Sequence, residues 1–148
     1  MGKKTWYFTY GQSGSQPFEG GWTEVIAETR RQAIDMFRTF HDDSSSGYVN
    51  CAGIYSAEEF EKTDMPANGN YDYRAVEVIR FCRGELKREY TLSYLCLRFR
   101  EFMGITQAQL AKLCNIDRTT LWKIEKGGKC TDRIQKNVRK VVEKIQNF

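Results

Sequence analysis

The chain has 148 residues, of which 41% are hydrophobic, 28% charged and 14% aromatic, a balance that excludes a disordered chain and allows one domain or two small ones. Its net charge of +4 conceals a division: residues 1–82 carry 8 Lys and Arg against 12 Asp and Glu, net −4, whereas residues 83–148 carry 15 against 7, net +8. The basic part has the charge that phosphate binding demands, because Lys and Arg that neutralise phosphates release counterions.

Met1 to Lys4 leads into an alternating stretch, Thr5 to Tyr10, instead of an apolar secretory core. No run approaches the ~18 apolar residues of a membrane span, so a cytoplasmic protein without a membrane partner is expected. Thr5 to Tyr10 and Trp22 to Ala27 read as strands of a hairpin joined by the loop Gly11 to Pro17. Thr29 is placed to cap a helix from Arg30 to about Phe40, with Ala33, Ile34, Phe37 and Phe40 on its apolar face. After the turn Asp42 to Gly47, Tyr48 to Tyr55 reads as a strand. Ser56 and Glu59 make a capping box for a short helix ending near Thr63, and Asp64 to Asn70 is a loop. Tyr73 to Phe81 suits a final strand. Residues 1–82 are thus expected to form a small α+β domain, an antiparallel sheet with one or two helices. Residues 83–90 are expected as a charged junction, in part helical.

From Thr91 the periodicity becomes helical. Thr91 caps a helix to about Met103 with Leu92, Leu95, Cys96, Phe99, Phe102 and Met103 on its buried face, and Gly104 ends it. Thr106 caps a second helix containing Leu110, Ala111 and Leu113; the chain turns at Cys114-Asn115, and Asp117 caps a third helix, Arg118 to Lys126. Gly127-Gly128 stop it. Thr131 then caps a last helix with Ile134, Val138, Val141, Val142 and Ile145 along one stripe, so residues 91–148 are expected as an all-α domain of four short helices around one core. The five cysteines, Cys51, Cys82, Cys96, Cys114 and Cys130, are odd in number and stand in no close metal spacing, which points to reduced, mostly buried thiols.

The stretch Thr106 to Gly127 has the pattern T-Q-x-x-L-A-(x)4-I-(x)4-L-x-x-I-E-x-G. It resembles the helix-turn-helix family of phage lambda repressor and Cro, and the resemblance covers about Leu95 to Gly127. The physical reading agrees: Ala111 is small where two helices cross, while Leu110, Ile116, Leu121 and Ile124 fill the space between them. Asn115 stands where the family usually has Gly, and of the non-glycine residues Asn best tolerates the positive φ of such a turn.

The resemblance implies sequence-specific binding of double-stranded DNA by a phage-type repressor or autoregulator, with the third helix in the major groove. It also implies that Arg100 pairs with Glu125, tying that helix to the scaffold, and that Gln107 holds a phosphate at the start of the second helix. Arg118, Thr119, Trp122 and Lys123 are the expected base-contacting residues at the exposed front of the third helix. Trp122 is open between a contact to a thymine methyl or sugar, a core position and a dimer position. Thr120, Lys112, Lys126 and Lys129 are the further expected phosphate contacts, each lysine also readable as solvated surface. The expected partners are a palindromic operator and a second copy of the chain.

Other constellations do not reach a chemistry. His41, the only histidine, stands beside Asp42-Asp43-Ser44 in one turn, whereas a hydrolytic triad gathers its members from separate elements. Gly11-x-x-Gly14 lacks the Lys and Ser/Thr of a phosphate loop, and Glu58, Glu59 and Glu61 read as a solvated face. No catalytic residue, metal or cofactor is expected. In the first part, Gly20-Gly21-Trp22-Thr23-Glu24-Val25, Asn50-Cys51-Ala52-Gly53-Ile54-Tyr55 and Glu59-Phe60 loosely resemble small uncharacterised domains encoded by phages and mobile elements of gut Firmicutes. That resemblance names no activity. Dimerisation, sensing of a small ligand and binding of a protein partner all remain open for it, the last including an anti-CRISPR-like reading in which the acidic part inhibits a nuclease and the basic part autoregulates its promoter.

Overall fold

A computed structural model describes residues 2–11, 15–66 and 74–145; Tyr73, parts of the two expected loops (12–14 and 67–70) and the Ile145 side chain lie outside the described residues. The described chain is α+β, with a five-stranded mixed sheet and six α-helices, and it divides into two compact units, Met1–Glu89 and Tyr90–Phe148.

In the first unit β1 (Lys4–Thr9) and β2 (Trp22–Ala27) pair antiparallel, with Trp6 opposite Val25 and Phe8 opposite Thr23. Their alternation places Trp6, Phe8, Val25 and Ala27 on one face, where α1 (Arg30–Phe40) covers them with Ala33, Met36 and Phe37. Phe8 and Phe37 stack at 4.6 Å, and the Trp6 indole donates to the Ala27 carbonyl at 3.1 Å. Thr29 caps α1 through the Gln32 amide. On the other face Phe60 of α2 (Ala57–Glu61) stacks on Tyr7 at 4.0 Å and meets Trp22 at 4.9 Å; Ser56 and Glu59 form both arms of the α2 capping box.

Three expectations for this unit are corrected. The strand read over 48–55 is shorter: β3 spans Gly53–Ser56, because it pairs with β1 alone and β1 ends at Thr9, opposite Gly53. Tyr48 is left 74% exposed. The sheet is not purely antiparallel: β4 (Ala75–Cys82) runs parallel to β2, and the strand order is β3-β1-β2-β4-β5. Residues 28–74 lie between those two strands, ample chain for the crossover that parallel pairing needs. The junction read at 83–90 is instead a turn and a strand, β5 (Glu85–Tyr90), at the sheet edge beside β4. Arg83 and Gly84 hold φ 53° and 79°, the doubly positive pair of a two-residue hairpin turn.

The second unit is built from α3 (Leu92–Met103), α4 (Gln107–Leu113), α5 (Arg118–Glu125) and α6 (Asp132–Val142), followed by a 3-10 turn, Glu143–Ile145. Thr91, Thr106 and Thr131 each cap their helix by accepting a backbone N–H, and Gly104 ends α3 in the left-handed region at φ 63°. Leu95, Cys96, Phe99, Leu110, Ala111, Cys114, Leu121, Ile124, Val138 and Val142 make one buried core. The expected stripe on α3 is too long by its last turn. The buried run stops at Phe99, and Phe102 and Met103 are 59% and 52% exposed, beyond the reach of the core that α5 and α6 supply. Leu113 of α4 is 57% exposed.

Candidate nucleic-acid interface

The elements α4 and α5 and the turn between them position most of the side chains singled out in the sequence. Leu110 and Ala111 of the first helix, Cys114 directly after it, and Leu121 and Ile124 of the second are buried in one core. The turn closes through Asn115 N–H to Lys112 O at 3.1 Å and Ile116 N–H to Ala111 O at 3.0 Å. Asn115 sits at φ 57°, the left-handed geometry that a glycine would adopt without strain. Asp117 holds the capping position at the start of α5 by its backbone, but its side chain makes no capping hydrogen bond.

Because one side of α5 is committed to the core, Arg118, Thr119, Trp122 and Lys123 emerge on the other and are exposed. Trp122 is 51% exposed, which removes the core alternative for it, and Lys126 Nζ lies 5.8 Å from its ring centroid. Thr120 is half-buried; Lys112, Lys126 and Lys129 are exposed.

Beneath the outer face of α5 a polar network fixes the helix. Glu125, only 5% exposed, accepts through Oε1 from Arg100 Nη1 of α3 at 2.8 Å and from Gln107 Nε2 of α4 at 2.9 Å. Gln107 Oε1 in turn accepts from Arg118 Nε at 3.4 Å, and Ser93 Oγ donates to the Glu125 carbonyl at 2.6 Å. The structure therefore brings Arg100 and Glu125 together as an ion pair and adds two residues to it. The amide of Gln107 is engaged at both ends, to Glu125 and to Arg118, which sequence reasoning missed. Its signal was faint: Gln107 and Glu125 are 18 residues apart and only the packed pair of helices makes them neighbours.

The charge of this unit is one-sided. Residues 90–148 hold 12 Lys and Arg against 5 Asp and Glu, net +7. The cysteines add no nucleophile: burial pushes the Cys114 thiol up to about 11 and raises Cys96 and Cys130 as well.

A second polar cluster, in the first unit, has no counterpart in the sequence reading. Glu77 of β4 is fully buried and accepts from Thr23 Oγ1 at 2.9 Å, a neighbour set by the parallel register Thr23↔Glu77. His41, directly after α1, turns its Nε2 to the same carboxylate oxygen, and Arg88 Nε of β5 lies 3.5 Å from the other. Since Thr23 spends its proton on Glu77, Tyr10 must donate its hydroxyl to Thr23, at 2.5 Å; burial accordingly raises the Tyr10 pKa. His41, read as a member of a polar turn, thus belongs to a core network gathered from five separate parts of the chain. Burial pushes the Cys51 thiol up to about 11, so it offers no thiolate at neutral pH.

Among the described residues no three His, Cys, Asp or Glu side chains meet in a group fit to hold a metal, and no helix is long and apolar enough to cross a membrane. Comparison with protein-family models, curated proteins and solved structures gave no match.

Proposed function

We propose that the second unit is a helix-turn-helix domain that binds double-stranded DNA sequence-specifically, and that the protein is a phage-type transcriptional repressor or autoregulator working in the cytoplasm as a dimer. The observation that carries the reading is the outer face of α5: Arg118, Thr119, Trp122 and Lys123 project from a helix whose inner face is clamped by Glu125 to α3 and α4, on a unit with net charge +7. A reading helix needs both parts. An axis already fixed by packing confines the ordering cost of docking to the side chains themselves, and it sets which base edge each one meets.

In this reading Arg118 donates to guanine, Thr119 makes a hydroxyl or methyl contact, Lys123 reaches a base or phosphate, and Trp122 packs on a thymine methyl or sugar. Gln107, Thr120, Lys112, Lys126 and Lys129 face the sugar-phosphate strands. Gln107 does so while holding Arg118, so one side chain couples the backbone anchor to the base reader. The first unit serves dimerisation or sensing, and two half-sites about one helical turn apart make a palindromic operator.

Selection of bound duplexes from random DNA by the full chain tests this directly. A palindrome with about one turn between half-site centres is expected. Arg118→Ala is then expected to lose ~1–3 kcal/mol of discrimination between the selected duplex and a scrambled one. Equal affinity of the wild-type chain for both duplexes refutes specific readout.

A further inference from the structure

An open groove of about 580 Å³ lies between α4, the α4–α5 turn and α6. Three cations, Lys112, Arg118 and Arg133, line it against a single carboxylate, Asp117. Asn137, one turn after Arg133 on α6, adds an amide, and Thr120 a hydroxyl. The apolar floor includes Ala111 and Ile134. Among the described residues neither Lys112 nor Arg133 is paired with a carboxylate, whereas Arg98, Arg100 and Arg139 of the same unit all are.

We propose that this groove is a seat for the DNA sugar-phosphate backbone, with Arg133, Lys112 and Asn137 as its phosphate contacts and Arg118 shared between it and the base-reading face. The proposal rests on the DNA-binding reading above and deepens it. Concave walls with an apolar floor lower the local dielectric, so like charges held there repel one another more than they would on a flat surface, and an oxyanion relieves that repulsion. The arginine fork suits a pair of phosphate oxygens, and the neutral amide of Asn137 donates without adding charge. The groove is open to solvent rather than enclosed, which suits a polymer strand that passes through it and not a small molecule that must be surrounded. It also explains why two of the expected phosphate contacts, Lys112 and Thr120, converge on one concavity, while Lys126 lies over Trp122.

The test measures dissociation constants of the full chain over a series of salt concentrations, on a selected duplex and on a scrambled one. Variants are Arg133→Gln, Lys112→Gln and, as a control on the exposed side of α6, Lys136→Gln; thermal unfolding of each confirms an intact fold. Arg133→Gln and Lys112→Gln are each expected to weaken both duplexes by the same factor and to make the salt slope shallower by about 0.9, one phosphate contact. Lys136→Gln is expected to leave the slope unchanged. An unaltered slope in the two groove variants, with Arg118→Ala still losing discrimination, overturns the groove and leaves the DNA reading standing. Absence of duplex binding by the wild-type chain overturns both. Titration with inorganic phosphate and with a mononucleotide separates the remaining source: saturable binding that Arg133→Gln removes, with no change in the DNA salt slope, assigns the groove to a free anion and overturns the proposal.

Discussion

Glu125 shows what a single charged residue does when a core closes around it. Its carboxylate holds Arg100 and Gln107, and its backbone carbonyl holds Ser93, so one residue near the end of α5 ties that helix to α3 twice and to α4 once. Removing the carboxylate leaves Arg100 with no counter-charge at a position only 26% exposed. A fully buried pair broken in this way costs ~3–5 kcal/mol, and the solvent still reaching Arg100 reduces that, so Glu125→Ala is expected to destabilise the second unit by about 2–3 kcal/mol. Urea unfolding of wild type and variant measures it; a loss below about 0.5 kcal/mol means that the pair adds nothing. The pair was legible through the family resemblance, which reaches back past the motif to include Arg100. Glu77 was not, because its partners Thr23, His41 and Arg88 come from three other parts of the chain, and a valine-rich strand containing one Glu reads equally well with that Glu in water.

At the scale of the element, local physics was readable and non-local pairing was not. The caps at Thr29, Ser56, Thr91, Thr106 and Thr131 were legible because a cap is satisfied within three residues of itself. The outward face of α5 was legible for a similar reason, since helical periodicity alone separates Leu121 and Ile124 from Arg118 and Trp122. The direction of β4 was hidden, as it depends on which strand β4 meets after the intervening chain has folded. The edge hairpin was hidden by composition: β5 is charged at four of its six positions, as an exposed edge should be, and its turn is Arg-Gly instead of Asn-Gly. Arginine at φ 53° bears the strain of a left-handed residue with a Cβ, which asparagine bears more easily. Arg83→Asn is therefore expected to stabilise the first unit by about 0.5–1 kcal/mol, raising its melting midpoint by roughly 2–8 °C. An unchanged or lower midpoint in differential scanning calorimetry counts against that turn geometry.

At the scale of the whole molecule, the position of β5 decides where the chain can be divided. Charge and periodicity place a boundary after residue 82, but the chain separates into compact units after Glu89, and β5 belongs to the first. Leu86 packs against the first core, and Arg88 stands beside the buried Glu77 carboxylate with its guanidinium 5.7 Å from the Phe40 ring centroid. A fragment of residues 1–82 keeps His41 and Thr23 against Glu77 but loses Arg88, and it exposes the backbone edge of β4, an apolar strand with no charged cover of its own except Arg80. The lost cation and the lost Leu86 contact together are expected to cost about 3 kcal/mol, a large part of the ~5–15 kcal/mol that holds a domain folded. Residues 1–90 should therefore unfold cooperatively, with a midpoint at least ~10 °C above that of residues 1–82, and the shorter fragment should self-associate through its uncovered edge. Equal midpoints for the two fragments would place β5 outside the cooperative unit and return the boundary to residue 82.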